Sequence, residues 1–194
     1  MKNWHIGAPF IHRPDDVFLH SFVPNENCDL SFTLVPAHYH HDRSRKITGA
    51  RAWLDYFQHA SRIFRSANAD KNKSGIMTCF PQLAVAVAIH KNISFSSIPL
   101  IAWNFNLGQT YPGAKQKISQ LSLSAVDTFV VHSRHEIKEY SEWLQLPQNR
   151  FEFVPLQRAV SGIDTREEIE HPFLLSMGTA NRDYKLLLSV LEQL

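Results

Sequence analysis

Short apolar runs rich in β-branched and aromatic residues recur along this chain at Leu30–Val35, Gly75–Phe80, Pro99–Trp103, Thr128–Val131 and Phe151–Val154. Helical patterns fill most of the gaps between them. Continuous apolar runs suit strands buried on both faces, and runs separated by helix-length segments are joined by crossovers rather than hairpins. The pattern predicts an α/β fold, a Rossmann-like parallel sheet with right-handed crossovers and helices on both faces.

The helices have individual signatures. Thr48 is placed to cap a helix whose apolar stripe is Trp53, Tyr56, Phe57, Ala60, Ile63 and Phe64, spaced three and four apart. Its other face carries Arg51, Asp55, Arg62 and Arg65, and with Lys71 and Lys73 these arginines offer a basic surface to anionic lipid headgroups. Gln82–Lys91 is apolar nearly all round, which period alone leaves open between buried helix and strand. Ser133-Arg134-His135-Glu136 has capping-box spacing directly after Phe129-Val130-Val131, and Ile137, Tyr140, Trp143 and Leu144 follow on one side before Pro147.

Residues 1–156 therefore read as a domain and the polar stretch 157–171 as a linker. Within 172–194, Phe173-Leu174-Leu175 ends in Ser176-Met177-Gly178, and Tyr184, Leu187, Leu188, Leu191 and Leu194 recur at helical spacing. These read as the opening strand, glycine turn and helix of a second domain, expected to be truncated. One strand and one helix cannot bury a core alone, so the leucine face needs a partner.

A formal net charge of +2, with no basic run interleaved with stacking aromatics, argues against nucleic acid as a partner. Cys28 and Cys79 form no CxxC pair and read as buried thiols in a reducing compartment. The N-terminus lacks the apolar core of a secretory signal, and no segment reaches the roughly 20 apolar residues of a membrane span. A cytoplasmic protein is expected, with any membrane contact peripheral, at the inner face.

In open parallel sheets, ligands bind outside the carboxyl ends of the strands. After the Leu30–Val35 run stand His38, His40, His41, Asp42 and Arg43; after Pro99–Trp103 stand Asn104 and Asn106; after Thr128–Val131 stand His132 and Ser133. These are expected to converge on one edge as acceptor-cleft candidates. His38, His40 and Asp42 are ligand types zinc accepts, but an HxH without a second ligand pair is equally a polar binding loop, so no metal and no cofactor are assigned. His132 is a candidate base, or merely a neighbour of a helix N-terminus. At Gly178-Thr179-Ala180-Asn181-Arg182 a glycine turn joins strand to helix, an arrangement that lets backbone N–H groups approach a phosphate with Arg182 beside it.

The order of these elements, with VVHSRHEIKEYSEWLQLPQNRFEFVPLQR followed by LLSMGTANRDYKLLLSVLEQL, resembles glycosyltransferases of the GT-B fold that use nucleotide-sugars. The resemblance covers most of the chain and is most specific over its last third. It implies that the segment up to Pro155 closes an acceptor-side domain and that Phe173–Leu194 begins the donor-binding one. Gly178, Thr179 and Arg182 would then lie at the donor diphosphate. Many members carry a histidine where this chain has Asn104 and Asn106, residues that still hydrogen-bond sugar hydroxyls. The family's paired glutamates and nucleobase contacts correspond to sequence beyond Leu194, so little transferase activity is expected without a donor-domain subunit, and no catalytic residue is assigned. The resemblance thus implies hexosyl transfer to a glycan or lipid-linked acceptor, as in polysaccharide biosynthesis. The alternatives are a non-catalytic glycan- or acceptor-binding module and a metal-dependent enzyme built on His38–Asp42.

Overall fold

A computed structural model of the chain describes residues 2–15, 29–40, 48–70, 74–156 and 183–191. Six strands, β1 (Lys2–Gly7), β2 (Leu30–Val35), β3 (Ser74–Cys79), β4 (Leu100–Trp103), β5 (Thr128–Val131) and β6 (Phe151–Phe153), form one sheet in the order β2-β1-β3-β4-β5-β6. Every neighbouring pair is parallel. This is the expected Rossmann-like α/β architecture, and the five apolar runs become β2 to β6 with boundaries within a residue of those read from sequence.

The strand that the apolar runs do not reveal is β1, which lies inside the sheet between β2 and β3. Asn3 and His5 interrupt its apolar character, yet both are paired. The Asn3 amide donates to Asp70 Oδ2 at 2.7 Å and Thr33 Oγ1 at 3.0 Å and accepts from Ser31 Oγ at 3.1 Å; His5 Nδ1 lies 2.9 Å from Ser66 Oγ. Burying polar groups is tolerated once they are hydrogen-bonded, so a polar strand can occupy an inner position.

The crossovers after β2 are α1 (Ala50–Ala69), α2 (Pro81–Ile93), α3 (Ala114–Leu123) and α4 (Arg134–Leu144). All four contribute to one apolar cluster with Val35, Ile76, Leu100, Ala102, Phe129, Val131 and Phe151 of the sheet. Right-handed connections that advance in one direction from β2 to β6 must place their helices on the same face, so the four described crossover helices cover one face where the sequence pattern predicts helices on both. The second face carries Ile6, Leu34 and Cys79, with Phe32, Met77 and Trp103 at its margin and Ala8 and Ile11 packed upon it. Cys79 is free and buried, and burial pushes its thiol up to about 12, so it acts as a small apolar side chain. Cys28 lies outside the described residues.

Gly7 ends β1 against Ile63 of α1. A Cβ there would sit 2.2 Å from Ile63 Cδ1 and 3.4 Å from Leu83 Cδ2, and Ile63 and Leu83 are both fully buried. Gly7→Ala should therefore lower the free energy of unfolding by about 1–3 kcal/mol through overpacking, read as a drop in urea midpoint at unchanged slope.

Four local readings are resolved by the structure. The N-cap of α1 is Gly49, in extended conformation and without a side-chain cap bond, so Thr48 does not cap it. Pro81–Ile93 is a helix: Pro81 occupies its first turn, where the missing N–H costs nothing, and its all-round apolarity reflects a position between α1 and α3. The Ser133–Glu136 capping box is present in full, and Gln145 at φ 55° ends α4. Arg62, assigned from sequence to an outer basic face, is half-buried and donates from Nη2 to the Pro36 carbonyl at 3.1 Å. That basic face is therefore not continuous on α1.

The helix α5 (Tyr184–Leu191) belongs to a second unit and is described by itself. Asp183 caps it, accepting from Leu186 N at 3.0 Å, and none of its described side chains is buried. The leucine-patterned helix of the sequence reading is thus present. The linker 157–171, the run Phe173–Leu175 and the glycine turn lie outside the described residues. Among the described residues, no helix is long and apolar enough to cross a membrane.

Candidate functional site

The strand order changes direction around β1: its connection leads outward to β2, whereas the connection from β2 returns past β1 to β3 and every later one continues towards β6. In doubly wound sheets the crevice between two strands whose connections diverge is the preferred ligand position. Here that point lies between the carboxyl ends of β1 and β3, that is, between residues 8–12 and residue 80. A cavity of about 450 Å³ opens at the opposite edge, lined by Lys2, Asp70, Ser74 and Pro99 among others. No strand diverges there, and the carboxyl edge is the better candidate.

Two aromatic rings meet at the switch point. Phe10 and Phe80 pack edge to face with centroids 6.0 Å apart. Phe80 sits at φ 72°, ψ 147°, immediately before Pro81, a region that a residue with a Cβ adopts at a cost of about 1–3 kcal/mol. Its N–H nevertheless bonds to the Trp103 carbonyl at 3.2 Å, and its carbonyl accepts from Ala84 N as the first turn of α2. The strained corner therefore stands at the end of β3, on the edge that binds ligands in this fold class.

The candidate side chains share this edge but form two groups. On one flank His38 and His40 follow β2, joined by His12 from the segment after β1, a residue the sequence reading does not select. His12 Nδ1–H donates to the Ala37 carbonyl at 3.2 Å, and its ring lies 5.7 Å from that of His40. On the other flank stand Asn104, Asn106, His132 and Ser133. β2 and β4 are three strand spacings apart and β2 and β5 four, so the two groups are separated by roughly 14–19 Å at strand level. His41, Asp42, Arg43, Gly178, Thr179 and Arg182 lie outside the described residues. Among the described residues no three His, Cys, Asp or Glu side chains are grouped to hold a metal.

The histidine loop is pinned from beneath. His59 of α1 is fully buried; its Nε2–H donates to the Val35 carbonyl at 2.8 Å, and its Nδ1 accepts from the Tyr39 hydroxyl at 3.1 Å. Burial pushes the His59 imidazolium down to about 4; the bond to Val35 opposes the shift, and the Arg62 and His38 charges add to it. Burial also raises the Tyr39 hydroxyl well above its usual range. Tyr39 thus stays a neutral donor and His59 a neutral acceptor, while the neighbouring His38 and His40 remain exposed.

On the second flank each candidate has a distinct local task. Asn104 adopts the left-handed conformation at φ 51°, which asparagine tolerates better than most residues. Asn106 Oδ1 accepts from Gly108 N at 2.7 Å and closes a turn. The Ser133 hydroxyl caps α4. Glu136 accepts from His132 N and Ser133 N at Oε2 and from the Tyr140 hydroxyl, which burial raises, at Oε1, so both carboxylate oxygens are held in the α4 cap. His132 Nδ1–H donates to the Val154 carbonyl at 2.7 Å, and the ring stands edge-on to Trp103 at 6.4 Å. With its hydrogen on Nδ1, His132 presents Nε2 as a lone-pair acceptor, and this atom is buried without a hydrogen-bond partner.

Together, the sheet order and the edge define a Rossmann-like α/β domain whose candidate site is an aromatic corner flanked by hydrogen-bonding side chains. Comparison with protein-family models and with curated proteins finds no match to this chain.

Proposed function

We propose that this chain carries the acceptor-side domain of a glycosyltransferase-type protein, which moves a sugar from a nucleotide-sugar to a glycan or lipid-linked acceptor. The observation that carries this reading is the pairing of Phe10 and Phe80 with His12, His40, Asn104 and His132 along one sheet edge. Sugar rings offer apolar C–H faces to aromatic side chains and hydroxyls to groups that donate and accept hydrogen bonds, and binding sites generally combine an apolar floor with a few such groups. The resemblance of residues 127–155 and 173–194 to GT-B enzymes points the same way. A non-catalytic glycan-binding module is the second reading, favoured by the commitment of both Glu136 oxygens to the α4 cap, a structural role for the carboxylate at this edge.

The test is calorimetric titration with UDP- and GDP-sugars, alone and with a separately expressed donor domain, beside a glycan array. Nucleotide binding and sugar transfer that arise only with the second piece support the transferase. Glycan binding without nucleotide affinity in either setting supports the module, and neither kind of binding overturns both. Within the site, His132→Ala should weaken glycan binding about tenfold by removing one acceptor, whereas His132→Gln, which keeps a side-chain acceptor, should restore part of it.

A further inference from the structure

We infer that the end of the domain away from the candidate site docks on an anionic lipid surface through an apolar patch shared by α2 and α3. Phe95, in the turn after α2, is 95% exposed; Ile93 is 74%, and on α3 Leu121 is 74% and Ile118 64%. The two pairs are held together, because the Asn92 side chain donates to the Leu121 and Ser122 carbonyls at 3.2 and 3.3 Å. Four large apolar side chains this exposed at one junction are more than scattered surface residues and mark an interaction surface.

Charge identifies the occupant. From Lys71 to Val126 the sequence contains no Asp or Glu, while Lys73, Lys91, Lys115 and Lys117 fall within it. Asp127, which ends this stretch, is held by Lys91 Nζ. On α3, Lys117 shares an exposed face with Ile118 and Leu121 at helical spacing. Arg150 sits beside the C-terminal end of α3, donating to the Ser124 carbonyl at 2.8 Å. Exposed apolar side chains with Lys117 and Arg150 beside them, and with the neighbouring Asp127 carboxylate paired to Lys91, match the acyl boundary and headgroups of an anionic leaflet. A second copy of this chain would instead bring like charges together. The patch surrounds the link from α2 to β4, at the amino edge of the sheet, so docking leaves the carboxyl edge open.

This surface is independent of the glycosyltransferase reading and is tested separately. Sedimentation of the purified chain with phosphatidylcholine vesicles containing about 30% phosphatidylglycerol should show binding that falls with added salt, and pure phosphatidylcholine should bind far less. Phe95→Asn with Leu121→Ser should weaken partition about tenfold or more. Asparagine suits the left-handed backbone at φ 49°, so thermal melting of this variant should match the parent and separate lost docking from lost folding. Lys117→Glu should weaken partition about tenfold on anionic vesicles and leave the phosphatidylcholine baseline unchanged. Absence of binding to anionic vesicles, equal binding by the variants, or a concentration-dependent dimer that Phe95→Asn abolishes would overturn the inference.

Discussion

Acidification from about pH 7 to about pH 4 should remove roughly 3 kcal/mol of folding stability through His59 alone. An imidazole in the unfolded chain takes up its proton near pH 6.5, whereas the folded His59 holds out to about 4. Between those values the unfolded state binds more protons, so stability is full above the unfolded value and falls as pH drops. The cause is geometric: His59 is fully buried, its Nε2–H is committed to Val35 and its Nδ1 to the Tyr39 hydroxyl, leaving no site for a second proton without breaking a bond. Urea unfolding across this range, compared between the parent and His59→Gln, isolates the term. The variant should be less stable at neutral pH, because a flexible amide does not hold the fixed geometry by which the imidazole spans Val35 and Tyr39, but its stability should depend less on pH by that amount. Parallel pH profiles would contradict a neutral, buried His59. Because Tyr39 stands between His38 and His40, the same variant should also reduce ligand binding at the histidine flank.

The second large effect concerns Lys91 and Asp127. Asp127→Ala should destabilise the domain by about 3 kcal/mol, whereas Lys91→Met should be close to neutral. The asymmetry follows from exposure. The Lys91 side chain is 11% exposed and that of Asp127 52%, with Nζ 2.5 Å from Oδ2. The same oxygen accepts from Leu100 N at 2.7 Å and so holds the start of β4. Removing the carboxylate strands an ammonium in the interior and orphans a backbone donor. Removing the lysine leaves a half-solvated carboxylate that still serves Leu100. In the double variant Lys91→Met with Asp127→Ala, most of the loss should be recovered, and urea midpoints of the three variants decide it. Equal losses in both single variants would show that the pair acts only as a surface ion pair.

Much of the fold was legible before the structure. β2 to β6 announce themselves as apolar runs because strands covered on both faces must be apolar, and α1 and α4 because a helix that packs on one side must repeat its apolar residues at helical period. The Ser133 capping box is a local motif and was read correctly for the same reason. β1 escaped because its polar residues are satisfied only by partners far away in sequence, Asn3 by Ser31, Thr33 and Asp70, and His5 by Ser66. The signal present was the alternation of Trp4 and Ile6 ahead of Gly7. α3 is similarly unmarked, since Ile118 and Leu121 face outward rather than forming the buried stripe of an amphipathic helix.

The same division applies to the site. Which residues follow each strand is a matter of sequence, and in a parallel sheet they fall at the carboxyl edge. How far apart they stand depends on strand order, which is set by the direction of each crossover. Placing β1 and β3 between β2 and β4 separates the histidine loop from Asn104 and His132 and puts Phe10 and Phe80 between them. Local periodicity decides which segments become strands and helices, because burial of one face is written in neighbouring residues. The switch point, the neutral state of His59, the inward turn of Arg62 and the lone acceptor on His132 arise from contacts between residues distant in the chain, and only packing determines them.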